Sequence, residues 1–321
     1  MTGSAVVLVT GGHGVIGSWV CRELVRRDAR VIVFDTRGTP SVVFPESAAV
    51  DTIVGDLRDA GSLRAAIADR GVERVVHLAA IIGDKAEQDP ALAIEVNALA
   101  TARLLALAAD RKMRRVIAMS TKGVLGKLAA RYLRPTYDPV PIDLPAQPSD
   151  VYASTKAVVE ALVAAHRSRG LAAAAVRLAT TWGPGKTGES HAGFSLHSDI
   201  VTRAARGEPS RLDTRPDEGY DLIYYGDVAA GLAGACLSDG EPGSPVYHLG
   251  SGVITTLGEF AAAVRHAFPG ASIELGDQPA GGRNCLLDIG PARRDFGYEP
   301  AFAVQRALED FARHLHVVVA H

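Results

Sequence analysis

The 321 residues predict an α/β fold, a doubly wound parallel sheet with helices on both faces, and three observations carry this. Strand-like apolar runs recur at 5–10, 30–34, 50–54, 74–78, 115–119 and 171–178, with helical periodicity near 15–28, 60–69, 90–110 and 150–169 between most of them. Such alternation favours parallel strands joined by crossover helices. Several of the runs are apolar on both faces, as a strand covered on both sides must be. Finally, the first run, Val6 to Thr10, breaks into Gly11, Gly12, Gly14 and Gly17 before a helical pattern that includes Ser18-Trp19-Val20.

That glycine turn is read as a cradle for a pyrophosphate. A strand turning sharply into a helix presents the helix's first N–H groups and positive dipole end, and glycines let phosphates approach the backbone. The second run ends in Asp35, eighteen residues past Gly17, where a carboxylate accepts from ribose hydroxyls and repels a 2′-phosphate. NAD is therefore expected over NADP, with Arg37 weakening the preference because a guanidinium pairs with phosphate.

Between 120 and 149 the chain carries Pro135, Pro139, Pro141, Pro145 and Pro148 and is expected to be a long loop. The helix near 150–169 then opens with Tyr152-Ala153-Ser154-Thr155-Lys156, whose spacing puts phenol and ammonium on one face. A phenol ionises near pH ~10 and acts as a base at neutral pH only when a positive charge stabilises its anion. Ser120-Thr121 closes the fifth strand, at the sheet edge where ligands of open α/β sheets bind. Past residue 180, Gly- and Pro-rich segments at 182–194 and 207–219 are read as loops, followed by a helix near 227–238, a strand at 246–250 and helices near 258–267 and 304–315. The expected division is a dinucleotide-binding portion over 1–180, completed by a returning strand and helix near 227–250, and a smaller interleaved C-terminal portion over 181–321 for substrate.

With 47% hydrophobic and 22% charged residues the composition is that of a globular enzyme. A net charge of −2, with no basic block beyond the Arg26-Arg27 and Arg114-Arg115 pairs, leaves no nucleic-acid footprint; the pairs are read as solvated helix ends. Cys21, Cys236 and Cys285 have no CxxC spacing and are read as inert packing residues. No apolar run is expected to approach the ~20 residues that span a bilayer. The N-terminus runs straight into the first strand, so a cytoplasmic protein without a membrane partner is expected. No His/Asp/Glu cluster has metal-ligand spacing, and no metal is expected.

Together these motifs resemble the extended short-chain dehydrogenase/reductases grouped as NAD-dependent epimerases and dehydratases, which have a Rossmann-type fold. The resemblance covers Thr10-Gly11-Gly12-His13-Gly14-Val15-Ile16-Gly17, Gly55-Asp56-Leu57-Arg58-Asp59, His77-Leu78-Ala79-Ala80, Arg177-Leu178, Trp182-Gly183-Pro184-Gly185 and Asp295-Phe296-Gly297-Tyr298-Glu299-Pro300. It implies cofactor contacts from Gly11 to Gly17, from Asp35, Arg37, Asp56 (to the adenine), Leu57 and Leu78 to Ala80, and from Asn97 and Lys156. It implies hydride transfer in which Tyr152 takes the hydroxyl proton, Lys156 lowers the tyrosine pKa and binds the nicotinamide ribose, and Thr121 orients the reacting oxygen. Ile82, Lys122, Thr181, His191, Arg215 and Arg283 are expected to face substrate.

The chain also departs from the family. Lys122-Gly123 stands where dehydratases carry an Asp-Glu pair, so dehydration lacks its acid and base. Leu125 replaces the aromatic of a Val-Tyr-Gly step, and Tyr220 replaces an arginine typical of nucleotide-sugar epimerases. The asparagine that follows the Gly-Pro segment is not apparent in 186–191, leaving Arg283, Arg211 or Arg215 as candidate phosphate cations. The expected function is an NAD-dependent oxidoreductase acting on a secondary alcohol or ketone of a sugar-like or other small polar substrate. The alternatives are a nucleotide-sugar epimerase that retains its NAD and a non-catalytic dinucleotide sensor.

His77 is read as a packed strand residue, and His191 and His197 as members of the variable substrate loop; Trp182 fits core or pocket wall equally. The helices near 90–110 and 150–169 are apolar around more of their circumference than one sheet face requires, and a homodimer built on them is expected from the resemblance.

Overall fold

The computed structural model of the chain describes residues 4–68, 70–185, 196–280 and 284–315. The first half alternates β1 (Val6–Thr10), α1 (Val15–Arg26), β2 (Arg30–Asp35), β3 (Val50–Val54), α2 (Ala60–Ile67), β4 (Arg74–His77), α3 (Asp84–Gln88), α4 (Pro90–Ala93), α5 (Ala100–Asp110), β5 (Arg115–Met119), α6 (Val151–Arg167) and β6 (Ala173–Leu178). The rest contributes β7 (Thr180–Trp182), α7 (Leu196–Ala205), β8 (Ser210–Thr214), β9 (Gly219–Tyr224), α8 (Tyr225–Leu237), β10 (Val246–Leu249), β11 (Ile254–Thr256), α9 (Leu257–Ala267), β12 (Ile273–Gln278), α10 (Gly290–Phe296) and α11 (Val304–His314).

Among the described residues seven parallel strands form one sheet in the order β10-β6-β5-β4-β1-β2-β3. This is a Rossmann-like α/β sheet. Successive connections run outward in opposite directions from β1 and β4, so a crevice opens between their carboxyl ends. The inner strands are apolar on both faces because the sheet divides two cores, whereas the edge strand β3 is largely exposed. Val7, Val9, Val33, Val76 and Ile117 pack on one side; Leu8, Ile32, Val75, Val116 and Ala118 pack on the other.

Two expectations fail here. The segment Pro90–Asp110 forms 21 continuous helical residues, long and apolar enough to cross a membrane by length and composition. Half of it is buried, and it packs against α6 and α2, so its apolarity is that of a core helix rather than a span. Arg115, read as a solvated helix end, is 1% exposed. With Arg74 it donates to Ser238 O, and Arg74 also reaches Cys236 O (2.7 Å), where two cations meet the carbonyl end of α8. All three cysteines are buried and unbridged.

The C-terminal portion is more regular than its composition suggests. The 207–219 segment contains β8, which pairs with β12; β7, β9 and β11 form a third sheet. Asp221 interrupts the apolar run of β9 yet is fully buried, accepting from Ser251 N (2.6 Å), Ser251 Oγ (2.8 Å) and Leu287 N (3.1 Å). Asp227 likewise accepts from Ala301 N and Phe302 N. These carboxylates fasten Ser251, Leu287, Ala301 and Phe302 to β9 and α8.

Candidate active site

The turn from β1 to α1 is shaped by close contact. Gly11 has φ +69°, and a Cβ there would lie 2.6 Å from Ala79 N; one on Gly17 would lie 2.2 Å from Gly11 O. Gly14 differs: its φ of −64° suits any residue, and the nearest atoms to a Cβ would be Gly11 O at 3.2 Å and Arg37 Nη2 at 3.9 Å. A side chain at 14 would thus need only a small shift of Gly11 O, far less than one at 11 or 17. Among the described residues no side chain caps α1, and no acidic residue lies in its first turn. The first N–H groups of the helix are left for a ligand, and the cradle fits a dinucleotide pyrophosphate.

Asp35 ends β2 beside this turn. Its Oδ2 accepts from His13 N and its Oδ1 from Arg37 N, each at 3.0 Å. The His13 ring lies 2.7 Å from Arg37 O and 3.2 Å from Thr52 Oγ1, which ties the glycine turn to the loop after β2. Arg37 donates to Ser41 Oγ (2.9 Å). Asp56 is engaged by its neighbour: Arg58 donates to both carboxylate oxygens, holding the acid below its usual range. The Leu57 side chain lies in the core with Phe34 and Leu63, so only its backbone is available to a cofactor. Leu78, Ala79 and Ala80 continue from β4, partly exposed, with Leu78 N and Ala79 N both on Thr10 O. His77 is a packed strand residue, 2% exposed. Its ring nitrogens lie 2.6 Å from Thr10 Oγ1 and 2.8 Å from Thr101 Oγ1, and burial pulls it down to about 3.

Asn97 sits in one turn of π-helix, Ile94–Leu99, between α4 and α5. The wider turn lets it reach sideways. Its Oδ1 accepts from Ile81 N (2.8 Å), and its Nδ2 donates to Ile81 O (2.8 Å) and Thr155 Oγ1 (3.0 Å). Both amide protons are thus spent on clamping the loop after β4 to α6.

Helix α6 begins at Asp150, whose carboxylate accepts from Ala153 N (2.7 Å), while Glu87 accepts from Val151 N (2.8 Å). Tyr152 and Lys156 share one face, with Lys156 Nζ 5.9 Å from the Tyr152 ring centroid. Lys156 is 1% exposed, and burial pulls it down to about 8. Burial, helped by the Asp150 charge, pushes Tyr152 above the ordinary phenol range, so without a further positive charge the phenol stays protonated. Thr121 lies two residues past β5 and caps the turn Lys122–Leu125, its Oγ1 accepting from Gly123 N (3.1 Å), which leaves its own proton to donate. That turn packs against α6. Phenol, ammonium and hydroxyl therefore belong to contacting elements at the carboxyl edge of the sheet.

Lys122 spans to the C-terminal portion, donating to Thr180 Oγ1 (2.7 Å) on β7, next to Thr181. Ile82 lies partly exposed in the loop after β4. Arg215 is held by Asp217 and Glu218, and the exposed Arg211 by Glu274. Tyr220 is buried against His197, ring centroids 4.7 Å apart, and bonds Asn284. His197 is not a loop residue: it lies in α7, between Tyr220 and Phe260, and burial pulls it down to about 3. Trp182 is core, among Tyr224, Phe260 and Phe311. His191 and Arg283 lie outside the described residues, as does segment 186–191. Sequence reasoning placed Ser120 at the strand end but missed its bond to Glu160, and missed Glu160 and Thr155 altogether as supports of the site; the one legible signal is Glu160 lying four residues past Lys156.

Fold and site together define an NAD-dependent enzyme of the dehydrogenase and epimerase class. The model of the NAD dependent epimerase/dehydratase family matches residues 7–250, and the chain belongs to that family. It is 27% identical over 336 residues to a 2-alkyl-3-oxoalkanoate reductase of Stenotrophomonas maltophilia, covering 94% of this chain and 97% of that one. It is 26% identical over 334 residues to a UDP-glucose 4-epimerase of Halalkalibacterium halodurans, covering 97% and 95%. Among solved structures it resembles the Thermus thermophilus UDP-glucose 4-epimerase in complex with NAD, with TM-score 0.78, 26% identity and coverage of 98% and 100%.

Proposed function

We propose that the chain interconverts a secondary alcohol and a ketone on a sugar-like substrate, with Tyr152 as the acid–base group. The observation that carries this is the pairing on α6 of a partly exposed Tyr152 with the buried Lys156, packed against the turn that Thr121 caps. The glycine turn, the uncapped start of α1 and Asp35 would hold NAD, with Lys156 at its nicotinamide ribose. NAD supplies the hydride acceptor and, when reduced, the donor. Tyr152 as phenolate takes the substrate hydroxyl proton while the carbonyl forms, and returns it in reduction. Lys156 as ammonium stabilises the phenolate, and Thr121 donates to the reacting oxygen. Lys122 and Thr181 border the substrate.

A second reading is epimerisation of a nucleotide sugar, favoured by similarity over nearly the full length to UDP-glucose 4-epimerases. Against it, Tyr220 occupies the place of an arginine, and Arg211 and Arg215 are engaged by acids. The two are separated by supplying NAD or NADP with free and UDP-linked sugars and following reduced nicotinamide and stereoisomers separately. Net reduction of NAD supports the first reading; isomers without net redox change support the second. Neither outcome, across alcohols and ketones alike, would remove the proposal.

The same reading includes a homodimer. Ile94, Leu99 and Val158 are 54%, 43% and 46% exposed on the neighbouring 90–110 and α6 helices, an apolar surface suited to a two-fold partner. Sedimentation should give twice the mass of one chain, and Val158→Asp should shift it to the monomer.

A further inference from the structure

Tyr152, Lys156 and Glu160 recur at four-residue intervals on α6 and share one face. Glu160 lies beneath the other two. Its Oε1 accepts from Ser120 Oγ (2.6 Å) and Arg177 Nε (2.8 Å), and its Oε2 from Arg177 Nη2 (2.8 Å). Ser120, Glu160 and Arg177 are 2%, 7% and 3% exposed. One carboxylate thus joins α6 to the tip of β5 and to β6.

The geometry of this junction is restrictive. A two-point guanidinium–carboxylate contact tolerates little rotation, and in a buried setting a broken bond finds no water to replace it. Ser120 directly precedes Thr121. The hydroxyl that faces the reacting oxygen is therefore one residue from the Glu160 bond on the strand side, and the phenol is two turns from it on the helix side. On the opposite flank, Asn97 holds α6 through Thr155. Neither junction touches the glycine turn or Asp35.

We propose that Glu160 is a positioning residue: through Ser120 it fixes where the Thr121 hydroxyl stands relative to the Tyr152 phenol, so that its single proton is donated to the phenolate before substrate binds and to the reacting oxygen once it has. The inference rests on Tyr152 being the acid–base group.

The test uses the full chain saturated with NAD and labelled with ¹³Cζ-tyrosine, following the Tyr152 resonance, assigned with Tyr152→Phe, through a pH titration. Ser120→Ala keeps the Arg177–Glu160 pair and removes only the strand link. The expected result is a Tyr152 midpoint higher by at least about half a pH unit, with NAD affinity within about twofold of the parent. With a sugar that turns over, kcat falls about tenfold and KM stays within about twofold. Glu160→Gln should exceed both effects; if it does not fold, Ser120→Ala decides. An unchanged midpoint in Ser120→Ala, even with a lower melting temperature, would show a purely structural bond and overturn the inference alone. A Tyr152 midpoint in the NAD-loaded parent no lower than that of an ordinary phenol, near ~10, would overturn the acid–base reading and this inference with it.

Discussion

Helices α1 and α6 both begin at the carboxyl edge of the same sheet, yet their first turns are treated in opposite ways. At α6 the N–H groups of Val151 and Ala153 are satisfied by Glu87 and Asp150. At α1 no described side chain performs this service, and the N-cap is a glycine whose Cβ would press closely only on Gly11 O. The contrast separates a helix end whose positive potential is consumed internally from one whose potential is left for an anion. It also explains the division of labour. On the proposed reading, the capped helix holds Tyr152 and Lys156 in its first turns, and the uncapped one would receive the pyrophosphate.

The largest expected effect tests the capped helix. Tyr152→Phe removes the proton acceptor, and kcat should fall about 10³-fold while NAD affinity, measured by fluorescence titration, stays within about threefold. Unchanged turnover would remove Tyr152 from the chemistry. Next, Gly14→Glu places an acid at the open end of α1. NAD affinity should fall about 100-fold from charge and volume at the cradle, with the melting temperature little changed. A variant that binds NAD normally would show that the cradle is not the pyrophosphate site.

Smaller effects follow from charge. Lys156 is cationic below about 8 and loses its charge above it, so oxidation should decline as pH rises through that value. The sign for stability is opposite. Its folded value lies below the reference of 10.5, so between about 8 and 10.5 the unfolded chain binds the extra proton and this group's contribution to stability rises with pH. Activity that falls without loss of the fold, seen in parallel kinetics and urea melts, is the expected signature. Least of all, Asp150→Ala should cost about 1 kcal/mol of stability by uncapping α6 while leaving NAD binding intact. If it weakened NAD binding instead, the two helix ends would not be as separate as described.

The first half of the fold was legible because the inner strands are apolar on both faces and the longer crossover helices have an amphipathic pattern. The C-terminal portion was not. In β8 the charged Arg211 and Asp213 alternate with Ser210, Leu212 and Thr214, and in β9 Asp221 breaks the run; its burial is made tolerable by Ser251 and Leu287, thirty and sixty-six residues away. No local pattern announces such partners. Within the site, the glycine turn and the Tyr152–Lys156 spacing were visible because local geometry fixes them. The roles of Asn97 and Glu160 depend on Ile81, Thr155, Ser120 and Arg177, which come together only in three dimensions. Likewise, burial pushes Tyr152 up rather than Lys156 drawing it down, a balance that spacing alone does not reveal.

The central claim is that a dinucleotide laid across the open end of α1 reaches the Tyr152–Thr121 junction. A crystal structure of the chain grown with saturating NAD tests it most directly. The account predicts the pyrophosphate on the N–H groups at the start of α1 beside Gly14, and the nicotinamide ring next to Tyr152 and Thr121. NAD bound elsewhere, or seated on α1 with its ring directed away from Tyr152, would contradict it.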